Sequence, residues 1–199
     1  QRAGLQPTRN PLHCFLMANI AMRTGHNNRA VQLLEQRPES RAFLPFPYLN
    51  FMLGLAKLRR LDADAGPHFQ RYLDEFQGRN FIKEAYQKLA WQEWIKGNPD
   101  GYRRYLRLCR EKGAAVAGGD KNAHNEAGRM ELPNLPLLKA RLLFDGGYHQ
   151  RALDLLLQTP PDRLPSGRDQ LEYLYRTGRV LHGLERYPEA LSYYQQTIA

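Results

Sequence analysis

Cysteine is scarce in this 199-residue chain: the two present, Cys14 and Cys109, lie far apart and neither belongs to a CxxC pair. Zinc ribbons, thioredoxin-like redox chemistry and a disulfide framework are left without support, and two buried free thiols are expected. No stretch approaches the ~18 uninterrupted apolar residues that a membrane-spanning helix requires. Alternating apolar and polar runs long enough for a half-buried strand are missing as well. So are GxSxG, a Walker-type phosphate loop, GxGxxG and HExxH, and the six histidines are scattered at positions 13, 26, 68, 124, 149 and 182. With no converging nucleophile, base or ligand set, no catalytic residue, metal ligand or cofactor is assigned, and a non-enzymatic chain is expected.

What is present is enough for a folded protein. Hydrophobic residues make up 42% and charged residues 25%, which excludes wholesale disorder. Lys plus Arg outnumber Asp plus Glu by 29 to 20, and the excess is uneven. Residues 1–61 hold nine basic side chains against Glu35 and Glu39, a net +7, whereas residues 118–199 balance. A basic N-terminal third can attract an acidic protein, a membrane surface or nucleic acid, or can be a solvated face; no basic run exceeds Arg59-Arg60 or Arg103-Arg104. The chain opens at Gln1 without an apolar leader and stops at Thr197-Ile198-Ala199 inside a helical pattern, so both ends read as cuts in a longer polypeptide.

A repeat runs through the chain. The segments starting at Ala18, Ala140 and Gly178 superpose without gaps: each has a small residue, then Ala twelve positions later (Ala30, Ala152, Ala190) followed by an aliphatic. Gly54 with Gly66 and Ala90 with Tyr102 are weaker copies in the same frame. A small residue late in one helix lets a second helix cross close by, and a small residue early in the second completes the contact. Apolar rows of period 3.6 on both sides support a helical hairpin. In the last copy Leu171, Leu174, Tyr175, Gly178 and Leu181 recur at that spacing, as do Tyr187, Ala190, Leu191 and Tyr194. Helices are predicted over roughly 10–24, 27–36, 47–61, 65–77, 80–96, 99–112, 120–130, 134–145, 149–158, 168–184 and 187–198. Asp169 is placed as the cap of the helix from Gln170, and Gly118-Gly119 and Gly146-Gly147 as turn glycines. Residues 113–133 read as an insertion holding a solvated helix that Asp120 caps. His124 and Glu126, two apart on that helix, point to different faces and make no acid–base pair.

The pattern resembles the tetratricopeptide repeat, most closely at Leu174, Gly178, Leu181, Tyr187, Ala190 and Tyr194, with departures at Thr177 and Thr197. Stretches such as Phe81–Trp91 and Leu137–Tyr148 look similar to uncharacterised bacterial repeat proteins of this kind. The resemblance implies an all-α, right-handed α-solenoid of about five hairpins, roughly 10–36, 47–77, 80–112, 134–158 and 168–198, as one domain over 1–199. It also implies a non-catalytic scaffold whose concave groove takes a protein or peptide along the first helix of each hairpin. Carried onto this chain, that frame gives Asn19 and Arg23, Trp91 and Trp94, Arg141, and Tyr175 and Arg179 as groove candidates, with Phe15, Met22, Gln87, Leu137, Phe144 and His182 beside them. The Lys/Asn carboxylate clamp of the chaperone-binding members is not reproduced.

Each candidate has a plainer alternative. Trp91 and Trp94 are equally suited to the core between repeats. Arg141 and Arg179, each directly after a small anchor, are placed to hold an acidic or C-terminal carboxylate peptide, or to form ion pairs with Asp145, Asp169 or Glu172. Nucleic-acid or other polyanion binding through the basic third is the alternative to a peptide groove.

Overall fold

The computed structural model describes residues 9–38, 40–159 and 161–198. The described residues are all-helical, with eleven α-helices and no strand. The helices are α1 (Pro11–Arg23), α2 (Asn27–Glu35), α3 (Tyr48–Arg60), α4 (Ala65–Glu75), α5 (Ile82–Ile95), α6 (Pro99–Glu111), α7 (Gly118–Arg129), α8 (Leu135–Asp145), α9 (His149–Leu157), α10 (Gly167–Gly183) and α11 (Tyr187–Ile198). Their order follows the apolar periodicity. The Pro-rich connections before α3 and α10 each hold one short 3-10 turn, Arg41–Phe43 and Pro161–Arg163. The chain divides into two compact units between Leu132 and Pro133, at the end of the stretch expected as an insertion.

In the first unit, α1 pairs with α2, α3 with α4 and α5 with α6, and each second helix of the first two pairs also packs on the next first helix. The anchors are where the close approaches occur. Ala18 and Ala30 are both 0% exposed, joined in one cluster with Val31, Leu34, Met52, Leu53 and Ala56. At Gly54 an added Cβ would stand 3.1 Å from the Phe69 ring, so glycine is what admits that ring between α3 and α4. Around it Phe51 and Tyr72 are also sealed, with Phe51–Phe69 and Phe51–Tyr72 centroids 5.6 and 5.4 Å apart in edge-on geometry. Each such ring contributes about 2–3 kcal/mol of burial. Both thiols are free and buried, Cys14 within the α1–α3 cluster and Cys109 donating to the Ala123 carbonyl at 3.5 Å.

Helix α7 departs from the solvated element expected of it. It packs on α5 and α6, and Gly118 and Gly119 belong to its first turn rather than to a preceding loop. Asp120 lies inside this helix, is 0% exposed, and caps α5 instead of its own helix. Its carboxylate accepts from Phe81 N at 2.8 Å and Glu84 N at 3.1 Å. These are the N-cap and N3 amides, the pair that a capping box satisfies from within one helix. Glu84 has the residue type for that box, but its carboxylate lies 3.4 Å from Lys88 Nζ instead. Phe81 sits in the left-handed region at φ 59°, a cost that the Asp120 bond and ring contacts with Tyr48 and Phe51 offset. The far end of α6 is closed from α5 in turn: Lys83 Nζ donates to the Cys109 and Arg110 carbonyls at 2.7 and 3.0 Å.

In the second unit α8 pairs with α9 and α10 with α11, while α10 also meets both α8 and α9. Ala140, Ala152 and Ala190 are buried, and at Gly178 an added Cβ would lie 2.7 Å from the Tyr194 ring. Helix α10 starts earlier than expected: Ser166 is its cap and accepts from Asp169 N at 3.1 Å, while the Ser166 hydroxyl donates to the Asp169 carboxylate at 2.8 Å. Asp169 is therefore the N3 partner of a capping pair and not the cap itself.

Candidate functional site

The second unit brings three groove candidates together. Arg141 follows the anchor Ala140 on α8, and Arg179 follows the anchor Gly178 on α10. Because α8 and α10 pack side by side, the shared register sets both arginines along one cleft of about 90 Å³. Phe144, Asp145, Tyr175 and Arg176 line it with them. The Arg179 guanidinium carbon lies 5.0 Å from the Phe144 ring centroid and 5.8 Å from that of Tyr175. Arg179 Nη1 donates to the Tyr175 hydroxyl at 3.0 Å. Two aromatic faces and a phenol hold the guanidinium in place without neutralising it.

Of the carboxylates expected to pair with Arg179, Asp145 lines the same cleft, and the other two are engaged elsewhere. Glu172 pairs with Arg176 at 2.6 Å within α10, and Asp169 serves the cap. Among the described residues Arg179 makes no ion pair, and its side chain is exposed. Nearby, the Tyr194 hydroxyl is raised from its ordinary pKa by burial, with the Arg179 charge opposing that rise. The cleft therefore offers a positioned cation bordered by aromatic surface, with the Asp145 carboxylate also on its lining.

The first unit holds the remaining candidates. Asn19 is half-buried and Arg23 exposed on α1. Trp91 is 5% exposed, and its indole Nε1 donates to the Glu126 carboxylate at 2.6 Å while Lys88 Nζ stands 3.9 Å over its ring. The other Glu126 oxygen accepts from Gln87 at 2.6 Å. Trp91 thus faces α7, not solvent. Trp94 is half-buried, 6.4 Å from the Tyr102 ring. Asp120 and Glu126 are the side chains sequence reasoning undervalued. The signal was the spacing of Asp120, Ala123 and Ala127, three and four apart, which marks a buried face on an otherwise polar helix.

A larger cleft of about 630 Å³ lies between α2, the Arg41–Phe43 turn, α3 and α4. Its polar groups answer one another: Arg37 donates to Asn50, Asn50 to Glu75 at 2.8 Å, and Arg71 to Glu75 at 2.7 Å. His68 on its wall is held below the ordinary histidine pKa, chiefly by burial and then by the Lys57 charge. The basic third is partly consumed in the same way. Lys57 pairs with Glu35 and Asp64 at 2.7 and 2.6 Å, and Arg60 with Asp62 at 2.5 Å. Arg9, Arg23, Arg29 and Arg41 are exposed.

The class that these observations define is an all-helical protein of antiparallel helical hairpins. Comparison with family models, with curated proteins and with solved structures returned no match. Among the described residues, no three His, Cys, Asp or Glu side chains are grouped as metal ligands, and no helix is long and apolar enough to cross a membrane.

Proposed function

We propose that the chain is a non-catalytic binding scaffold, its hairpins being tetratricopeptide-like units of an α-solenoid, and that the α8–α10 cleft takes an acidic peptide or a free C-terminal carboxylate. The observation that carries this reading is Arg179: exposed, fixed by Phe144 and Tyr175, and in no ion pair among the described residues. A guanidinium so placed keeps its outer N–H donors for a bidentate bond to a carboxylate, and its orientation is set before the ligand arrives. Arg141 on the same cleft adds a second positive group, and Phe144 and Tyr175 supply the apolar surface a peptide side chain covers.

The test is binding of a fluorescent peptide pool, acidic with free or amidated C-termini, by the wild-type chain, Arg179→Glu and Arg179→Lys. Capture is expected to fall at least about tenfold in the Glu variant, about 1.4 kcal/mol, and less in the Lys variant, which keeps charge but not the fork. Equal capture by all three refutes the assignment. An electrophoretic shift with RNA or DNA that weakens with salt, and persists in Arg179→Glu, would favour the polyanion alternative instead.

A further inference from the structure

We propose that the cleft between α2, the Arg41–Phe43 turn, α3 and α4 is a small-molecule site, and that its ligand is a monocarboxylate with an apolar acyl or aryl body. The site belongs to the first unit and is independent of the peptide cleft in the second. The two Pro-rich connections share one local geometry and differ in burial. Each holds a 3-10 turn followed at once by a leucine whose N–H closes the turn: Leu44 donates to the Arg41 carbonyl at 3.3 Å and Leu164 to the Pro161 carbonyl at 3.1 Å. Leu164 is 6% exposed and its turn packs against α10, whereas Leu44 is 69% exposed. The leucine that turns inward in the second connection turns outward in the first, and beside it about 630 Å³ stays open. Interiors are otherwise close-packed, and that space equals about 20 waters at ~30 Å³ each.

Part of the lining gives such waters nothing to bond. Leu34, Leu49 and Leu53 form a buried apolar floor. Phe43 and Phe46 add aromatic surface from the connection, and Phe46 and Leu44 leave some of theirs in solvent. An apolar body laid on this floor displaces water that has no partner there, which favours binding. The volume falls within the range of about 300–1,000 Å³ that suits ligands of drug size.

The charges set the sign of the ligand. Among the described lining residues are three arginines and two glutamates, one positive charge in excess. Both glutamates are already bonded: Glu35 to Lys57 at 2.7 Å, and Glu75 through one oxygen to Asn50 and through the other to Arg71. Asn50 uses both ends of its amide, accepting from Arg37 and donating to Glu75. The side chains of Arg41 and His68 stand outside this network and make no hydrogen bond or ion pair among the described residues. Arg41 supplies a guanidinium fork. His68, kept neutral by burial and by the Lys57 charge, supplies one ring N–H. A carboxylate accepts from both, whereas a cation meets an excess of its own sign and carboxylates already engaged.

Calorimetric titration and methyl NMR of the whole chain test this, with octanoate as the acyl probe, phenylpropionate as the aryl probe and octylammonium as the charge-reversed control. At least one acid is expected to bind one to one with Kd below about 5 mM and to shift the methyl signals of Leu34, Leu49 and Leu53. The tighter of the two identifies the body. Octylammonium should bind at least about tenfold more weakly. Arg41→Glu, at an exposed position and checked by circular dichroism, should weaken the acid about tenfold. Arg179→Glu, which disables the peptide cleft, should leave acid binding unchanged. The proposal is overturned if neither acid moves those methyl signals by about 5 mM, if octylammonium binds as tightly, or if Arg41→Glu has no effect. Acid binding lost in Arg179→Glu overturns it too, because the acid then occupies the other cleft.

Discussion

Replacing Asp120 with alanine removes the one carboxylate that serves both the N-cap and N3 amides of α5. Two N–H donors, at Phe81 and Glu84, then face a space vacated by a side chain that is 0% exposed. A lost bond to a charged acceptor costs about 1.5–3 kcal/mol, and water entering the vacated space restores part of it. The negative charge at the helix start contributes about another 0.5 kcal/mol. The expected loss is therefore about 3 kcal/mol. Asp120→Asn keeps one acceptor oxygen and should lose about half of that. The chain's two tryptophans, Trp91 and Trp94, both lie in α5, so indole fluorescence reports on the first unit by itself. With a urea slope of about 1.5–2 kcal/mol/M, the Ala variant should shift the midpoint down by about 1.5–2 M. Amide exchange should lose protection first at Phe81 and Glu84. A midpoint within about 0.3 M of wild type, or unchanged protection at those two amides, refutes the inter-helix cap.

Two helical glycines should respond with opposite signs. Gly128→Ala in the last turn of α7 meets nothing within 4 Å and should stabilise the first unit by up to about 0.5 kcal/mol through helix propensity, read by urea unfolding. Gly178→Ala drives a Cβ to 2.7 Å from the Tyr194 ring and should destabilise the second unit by about 1 kcal/mol net, read by thermal circular dichroism. Trp91→Phe deletes the indole donor to Glu126 and should cost about 1–2 kcal/mol in the same urea assay; a neutral result would show that the bond is not formed. Burial pushes the Cys109 thiol up from 9.0 to about 11, with desolvation the leading cause. Its neutral form is favoured in the fold, so the associated stability is whole below pH 9 and is lost as pH rises through 11. Cys109→Ala should flatten the stability profile over that window, and neither thiol should react with an aromatic disulfide reagent until the chain unfolds.

How much of this was legible in the residues varies with the distance over which the cause acts. The eleven helices were readable because their causes are local: apolar rows of period 3.6, Pro47 and Pro188 near starts, and Gly25, Gly97 and Gly113 at ends. Those three glycines take φ of 74°, 80° and 71°, the left-handed turn that stops a helix. The anchors Ala18, Ala30, Ala140, Ala152, Gly178 and Ala190 were readable because a recurring small residue marks a close crossing. The meeting of Arg141, Tyr175 and Arg179 at one cleft followed from the same register. Among the described residues the Arg179 ion pairs expected as the alternative are not formed: Glu172 pairs with Arg176, one turn away on the same helix, and Asp169 bonds the Ser166 cap.

By itself, then, the sequence determined an all-helical chain, the extents of its helices, and the small-residue positions at which they cross. Tertiary structure decided what the polar side chains do. Asp120 reaches α5 across 36 and 39 residues of sequence, and Glu126 closes on Trp91 across 35. Nothing in the neighbourhood of either carboxylate indicates those partners. A backbone pattern is written in neighbours three and four apart, whereas a buried charge finds its donor only when packing has removed the water that would otherwise satisfy it.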